Sequence, residues 1–153
     1  MSAEIGRRSR VVAGIDLSAS NLEIARRAAR EARRRETPLV LVHALGIPPR
    51  PAGSLRPANA SPELLISTAQ WLESIAEPLR AEPDSVQVST RVIPGRADDV
   101  LIAESLTASL VVLGEDRGGV VAAEVGHRGC SPVLIVRPEP MPMLAVSRPG
   151  RKA

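Results

Sequence analysis

The chain has no phenylalanine, no tyrosine, a single tryptophan (Trp71), a single cysteine (Cys130) and a single lysine (Lys152). Without aromatic side chains there is no platform on which bases could stack, which argues against single-stranded nucleic-acid binding. One cysteine excludes an internal disulfide framework and a cysteine-based metal cluster. A lysine found only near the C-terminus excludes a phosphoacceptor receiver, which needs an acidic cluster after its first strand and a lysine late in the sheet. No apolar run approaches the ~20 residues that span a bilayer, and the opening MSAEIGRRSR lacks the apolar stretch of a signal peptide. The expectation is a cytoplasmic protein without a membrane partner. Neither G-x-G-x-x-G nor G-x-x-x-x-G-K-[ST] occurs, so dinucleotide and P-loop chemistry are not supported.

What is present is a 153-residue chain that is 44% apolar, within the usual range of one domain with one core. That core must be packed from Val, Leu, Ile and Ala. Charge is lopsided: residues 1–56 carry eleven Arg against five acids, and residues 57–137 carry six Arg against eleven acids.

Residues 10–16, RVVAGID, form a short apolar run of the kind buried on both faces of a parallel sheet. Ser20 and Glu23 have the spacing of a capping box, and Leu22, Ala25, Ala29 and Ala32 continue at helical spacing. LVLVHAL at 39–45 reads as a second buried strand, and the Pro-rich stretch from Gly46 to Ala60 as a loop. Ser61-Pro62 predicts a helix start, and Leu65, Ala69, Leu72, Ile75 and Leu79 its apolar stripe, with Pro78 kinking or ending it. VQVSTRVI at 86–93 alternates as an edge strand with one wetter face does. Asp98 and Asp99 suit the start of a third helix filled by Val100, Leu101, Ala103 and Leu106. SLVVLG at 109–114 is a fourth strand, Val120 to Arg128 a fourth helix, and PVLIV at 132–136 a fifth strand.

Strands alternating with helices call for a doubly wound α/β fold with a five-stranded parallel sheet, because each parallel connection needs a crossover. The domain is expected over 10–137, between an N-terminal extension (1–9) and a disordered Pro- and Arg-containing tail (138–153). Ligands of such sheets bind beyond the strands' carboxyl ends, where strand order reverses. That places a candidate site at Asp16, Leu113 and Gly114, with the glycines of GEDRGG able to bring backbone amides to a phosphate, or simply to turn the chain. Asp16 reads equally as a ligand contact and as a turn acid near Ser18 and Ser20. His43, inside an apolar strand, reads as a core or strand-end residue. His127 and Cys130 form no plausible nucleophile and base pair, and no enzyme constellation emerges.

VVAGIDLSASNLEIARRAAREAR at 11–33, LVLVHAL, RVIPGRADDVLIAESLTASLVVLG at 91–114 and SPVLIVRP at 131–138, in this order and spacing, resemble the universal stress protein family. The resemblance implies strand order 3-2-1-4-5 with helices on both faces, a non-enzymatic role in stress response, and a homodimer pairing through the last strand by Val133 and Ile135. It also implies a protein partner, whose identity the residues do not give. Some members bind ATP or AMP through an acid ending strand one and a motif G-x2-G-x9-G-[ST] after strand four. Carried over position by position, the nucleotide site would use Asp16, Val42, Leu113, Gly114, Gly119 and Val121. Here only four residues separate Gly114 from Gly119, where the motif has twelve, and Val120 stands in place of the hydroxyl. Taking Gly114, Gly118 and Gly126 as the three glycines nearly restores the span but leaves five residues before Pro132, too few for a crossover helix. The shortened loop makes the nucleotide site degenerate, with Arg117 as a partial substitute opposed by Glu115 and Asp116. A further reading is that the helix-one arginines Arg26, Arg27, Arg30, Arg33 and Arg34 bind an acidic partner or nucleic acid, the latter disfavoured.

Overall fold

The computed structural model describes residues 10–46, 60–115 and 119–137; the N-terminal extension, most of the Pro-rich loop, Asp116 to Gly118 and the tail lie outside them. Five strands, β1 (Val11–Gly14), β2 (Leu39–Leu45), β3 (Val88–Pro94), β4 (Leu110–Gly114) and β5 (Val133–Val136), alternate with four helices. The helices are α1 (Asn21–Arg34), α2 (Pro62–Arg80), α3 (Ala97–Ser105) and α4 (Val120–Arg128). The strands form one sheet of order β3-β2-β1-β4-β5, and every pairing is parallel. The doubly wound α/β fold and its strand order are thus as the sequence predicts.

Alternation along the strands sorts the core into two layers. Val11, Ala13, Leu39, Leu41 and Val112 face Ile24, Ala25 and Ala28 of α1 and Leu72, Ile75 and Ala76 of α2. Val12, Val40, Val42, Val111 and Leu113 face Val100 and Leu101 of α3 and Ala122 and Val125 of α4. Small residues on α1 let that helix approach the sheet closely, which replaces aromatic bulk with backbone proximity.

Three local expectations are corrected. Ser20 makes no side-chain cap bond: its backbone (φ −93°, ψ 9°) is outside the extended region a capping residue needs, and its hydroxyl lies 3.3 Å from that of Ser18. α2 continues two residues past Pro78 because Arg80 is anchored tertiarily, donating from Nε and Nη2 to the Val88 carbonyl at 3.1 and 2.9 Å. Leu106 does not fill α3 but lies exposed beyond its end, the buried positions there being Glu104 and Ser105. Both have partners. Glu104 accepts from Arg91 at 2.7 Å and Arg10 at 3.1 Å, and Ser105 Oγ accepts from the Cys130 N–H at 2.9 Å.

The two sheet edges differ. On β3 the Gln87 carbonyl bonds Leu39 of β2, so the Val88 carbonyl faces outward, where Arg80 caps it. Glu73 completes this cover, accepting from Arg80 Nη1 and from the Thr90 hydroxyl, both at 2.6 Å. On β5 the bonds from Val111 to Pro132 and from Glu115 to Val136 point those carbonyls inward. Alternation therefore turns the N–H and C=O groups of Val133 and Ile135 outward, with no described strand beyond them.

The Arg80 guanidinium, with the Thr90 hydroxyl, holds the Glu73 carboxyl at about 2, below its ordinary 4.5. Folding therefore favours the ionised form. The resulting stability is fully present above pH 4.5 and is lost as pH falls from there to about 2. Its size is modest because the pair is part-exposed and screened by solvent. We expect Glu73→Gln to flatten the fall in stability across that window, measured by urea unfolding at stepped pH; an unchanged acid limb would mean that this pair contributes nothing.

Candidate functional site

At the carboxyl ends of β1, β2 and β4, where strand order reverses about β1, the sheet opens into a cleft of about 120 Å³. β1 supplies Gly14 and, just beyond it, Ile15 and Asp16; β2 supplies Val42, His43 and Ala44; β4 supplies Leu113 and Gly114. Ala97 and Leu101 of α3 and Val121 and Ala122 of α4 close the opposite wall.

Two of the lining residues are strand-end glycines closely covered by side chains. A Cβ on Gly14 would lie 2.5 Å from Leu113 Cδ2 and 3.1 Å from Leu101, and one on Gly114 would lie 2.5 Å from Ile24 Cδ1. Leu113 of β4, Leu101 of α3 and Ile24 of α1 thus fill the volume that larger residues at these two positions would occupy.

Asp16 is exposed, and its Oδ1 accepts the Ser18 N–H at 2.9 Å. It is therefore both a turn acid and a cleft residue: one carboxylate oxygen holds the turn, and the other can accept from a hydroxyl or amine in the cleft. His43 is buried; its Nδ1 lies 2.6 Å from the Ile15 carbonyl, so Nδ1 is the donor and carries a proton. Its ring meets Trp71 edge-on at 5.0 Å. This clamp fixes the imidazole as part of the cleft wall beside Asp16.

Of the six positions picked out from the sequence, Asp16, Val42, Leu113, Gly114 and Val121 come together in the cleft, whereas Gly119 does not line it. Gly119 is the residue before α4, in the left-handed region at φ 63°, where glycine is favoured. α4 begins directly after it and runs through Gly126, which therefore stands inside the helix and not ahead of it. Arg117, Asp116 and Gly118 lie outside the described residues. Sequence reasoning missed Gly14, Ile15, His43, Ala44, Ala97, Leu101 and Ala122. The one available signal was position: His43 and Ala44 follow Val42 at a strand's carboxyl end.

The chemistry of the lining is one-sided. Among the described residues Asp16 is its only charged member, and no described Arg or Lys lines it. Glu115, the residue after Gly114, pairs with Arg137 at 3.8 Å. A flat heterocycle finds apolar walls in Val42, Leu113, Leu101 and Val121 and an acceptor in Asp16, but an anion finds no described cation. Among the described residues no group of three or more His, Cys, Asp or Glu side chains could hold a metal ion, and no helix is long and apolar enough to cross a membrane.

Comparison with known proteins gives a consistent answer. The profile of the Universal stress protein family matches residues 7–137. Among solved structures, a universal stress protein from Archaeoglobus fulgidus in complex with dAMP is 25% identical, with a TM-score of 0.61, covering 84% of this chain and 98% of that one. A universal stress protein in complex with cAMP is 22% identical (TM-score 0.60; 86% and 98% covered). An Arabidopsis thaliana protein of the same family, with AMP bound, is 17% identical (TM-score 0.59; 86% and 92%). Comparison with curated proteins gives no match.

Proposed function

Since the chain belongs to the universal stress protein family, we propose that it acts in stress response as a non-enzymatic binding protein whose nucleotide cleft is degenerate. It has kept the walls for a nucleoside and lost the means to hold a triphosphate, and its output is an interaction with another protein. The observation that carries this reading is that the described residues of the cleft lining include no basic side chain, together with the four-residue connection from Gly114 to Gly119. Phosphate recognition rests on charge-assisted bonds from Arg or Lys and on runs of backbone N–H groups. Among the described residues the lining lacks the first, and the short connection leaves little room for the second.

A second reading, an ATP or AMP sensor, is favoured by the five of six expected positions that meet in the cleft and by the nucleotides named for the A. fulgidus and A. thaliana structures. Calorimetric titration with ATP, AMP and cyclic AMP in the presence of magnesium separates the two. We expect no micromolar binding of ATP, in the parent protein or in Asp16→Ala. Micromolar binding that Asp16→Ala abolishes would sink the degenerate-site reading and make this protein a nucleotide sensor.

The same reading includes a homodimer joined through β5. The support for it is the contrast between the edges: β3 is capped by Arg80, while Val133 and Ile135 present open backbone groups, and Ile135 is 47% exposed.

A further inference from the structure

We propose that the outer face of α1 is a docking surface for an acidic helix of a partner protein. α1 carries five arginines, and they fall into two classes. Arg27 and Arg34 are taken up within the helix by Glu31, each at 3.5 Å. Arg26, Arg30 and Arg33 are exposed and form no hydrogen bond or ion pair with any described residue. At positions i, i+4 and i+7 they share one face of the helix and rise along it over roughly 10 Å. They border one surface groove, which Leu22 also lines and to which Glu23 and Glu82 contribute.

Such a stripe is unfavourable in isolation. Like charges at i, i+4 repel, and only Arg33, in the last turn, gains from the helix dipole. The repulsion is relieved when three anionic groups of matching spacing lie across the stripe. Carboxylates at i, i+4 and i+7 of a second helix have that spacing, and Leu22 offers the apolar contact that helix-in-groove docking uses. Glu23 and Glu82 decide between anion classes. A nucleic-acid strand carries a charge about every 3.4 Å, so its continuous phosphates would run into these acids. A helix with three acids flanked by basic residues meets Arg26, Arg30 and Arg33 with its acids and Glu23 and Glu82 with its bases. The chain also has no aromatic side chain but Trp71 on which bases could stack.

This surface gives the protein partner of the proposed function a chemistry. It shares no lining residue with the cleft, and its test uses no nucleotide, so the two readings fail separately.

The test is fluorescence anisotropy of the full chain with a labelled alanine-based helical peptide that carries Glu at i, i+4 and i+7 and Lys at both ends. Controls are a scrambled peptide of the same composition and a short DNA duplex. We expect salt-sensitive binding of the patterned peptide, weaker by about tenfold or more in Arg26→Gln/Arg30→Gln/Arg33→Gln. Arg27→Gln/Arg34→Gln removes two charges from the same helix and should change the Kd by no more than about twofold, since both are already paired. No binding at millimolar peptide, an equal loss in both variants, or no preference over the scrambled peptide would overturn the proposal. Tighter binding of the duplex than of the patterned peptide would overturn it in favour of nucleic acid.

Discussion

Ile24→Ala is expected to lower the unfolding free energy by about 2–5 kcal/mol, the range for truncating a buried aliphatic side chain to alanine. Ile24 is 2% exposed and packs in the layer between α1, α2 and the sheet. Its Cδ1 also occupies the place where a Cβ on Gly114 would fall, 2.5 Å away. This contact is therefore a paired fit, large on the helix and absent on the strand. Gly114→Ala alone overpacks that contact and should cost about 1–3 kcal/mol. In the Ile24→Ala background the same methyl enters space the truncation has emptied. The double variant should then be more stable than the sum of the single losses by about 1 kcal/mol or more. Urea unfolding of the four proteins measures the cycle. Additivity within about 0.5 kcal/mol would show that the two positions do not share this space.

The second large effect concerns β5. If two copies join edge to edge, Ile135→Pro removes an outward N–H and sets a ring at the junction. Because that N–H faces away from β4, the monomer's own ladder is spared. We expect the parent to sediment as a dimer at micromolar concentration and Ile135→Pro to weaken association by about a hundredfold or more. Val133→Lys/Ile135→Lys, which sets like charges near one another across a twofold axis, should do the same without changing backbone geometry. A parent protein that sediments as a monomer at high micromolar concentration removes the dimer from the reading, and the open edge then needs another occupant.

Both predictions depend on features of different legibility. The elements themselves were readable: Ser61-Pro62 starts α2, with Ser61 Oγ accepting the Leu64 N–H at 3.2 Å, and α4 spans Val120–Arg128 as periodicity predicts. Where local rules failed, a contact from elsewhere in the chain had intervened. Ser20 has the residue type of a cap, yet the Asp16 carboxylate organises the turn before it. Pro78 should kink or end α2, yet the helix runs two residues past it to Arg80, which is held by β3. His43 is a buried strand residue as its surroundings suggest, but that strand's end is also a cleft wall, which requires knowing what stands opposite.

The amino-acid sequence by itself determined the number, kind and order of the elements, hence the parallel α/β class, and the brevity of the Gly114–Gly119 connection. Hydrophobic period, prolines and glycines act within a few residues of themselves and need no partner to be read. Only the tertiary structure decided that Ala97 and Leu101 would face Asp16, that Glu104 would join Arg10 across 94 positions, that Arg26, Arg30 and Arg33 would stand without partners among the described residues while Arg27 and Arg34 would not, and that one sheet edge would be capped and the other left open. These depend on distances through space between segments far apart in the chain, which are set when two layers of helices settle on a twisted sheet and not by any residue's own preference.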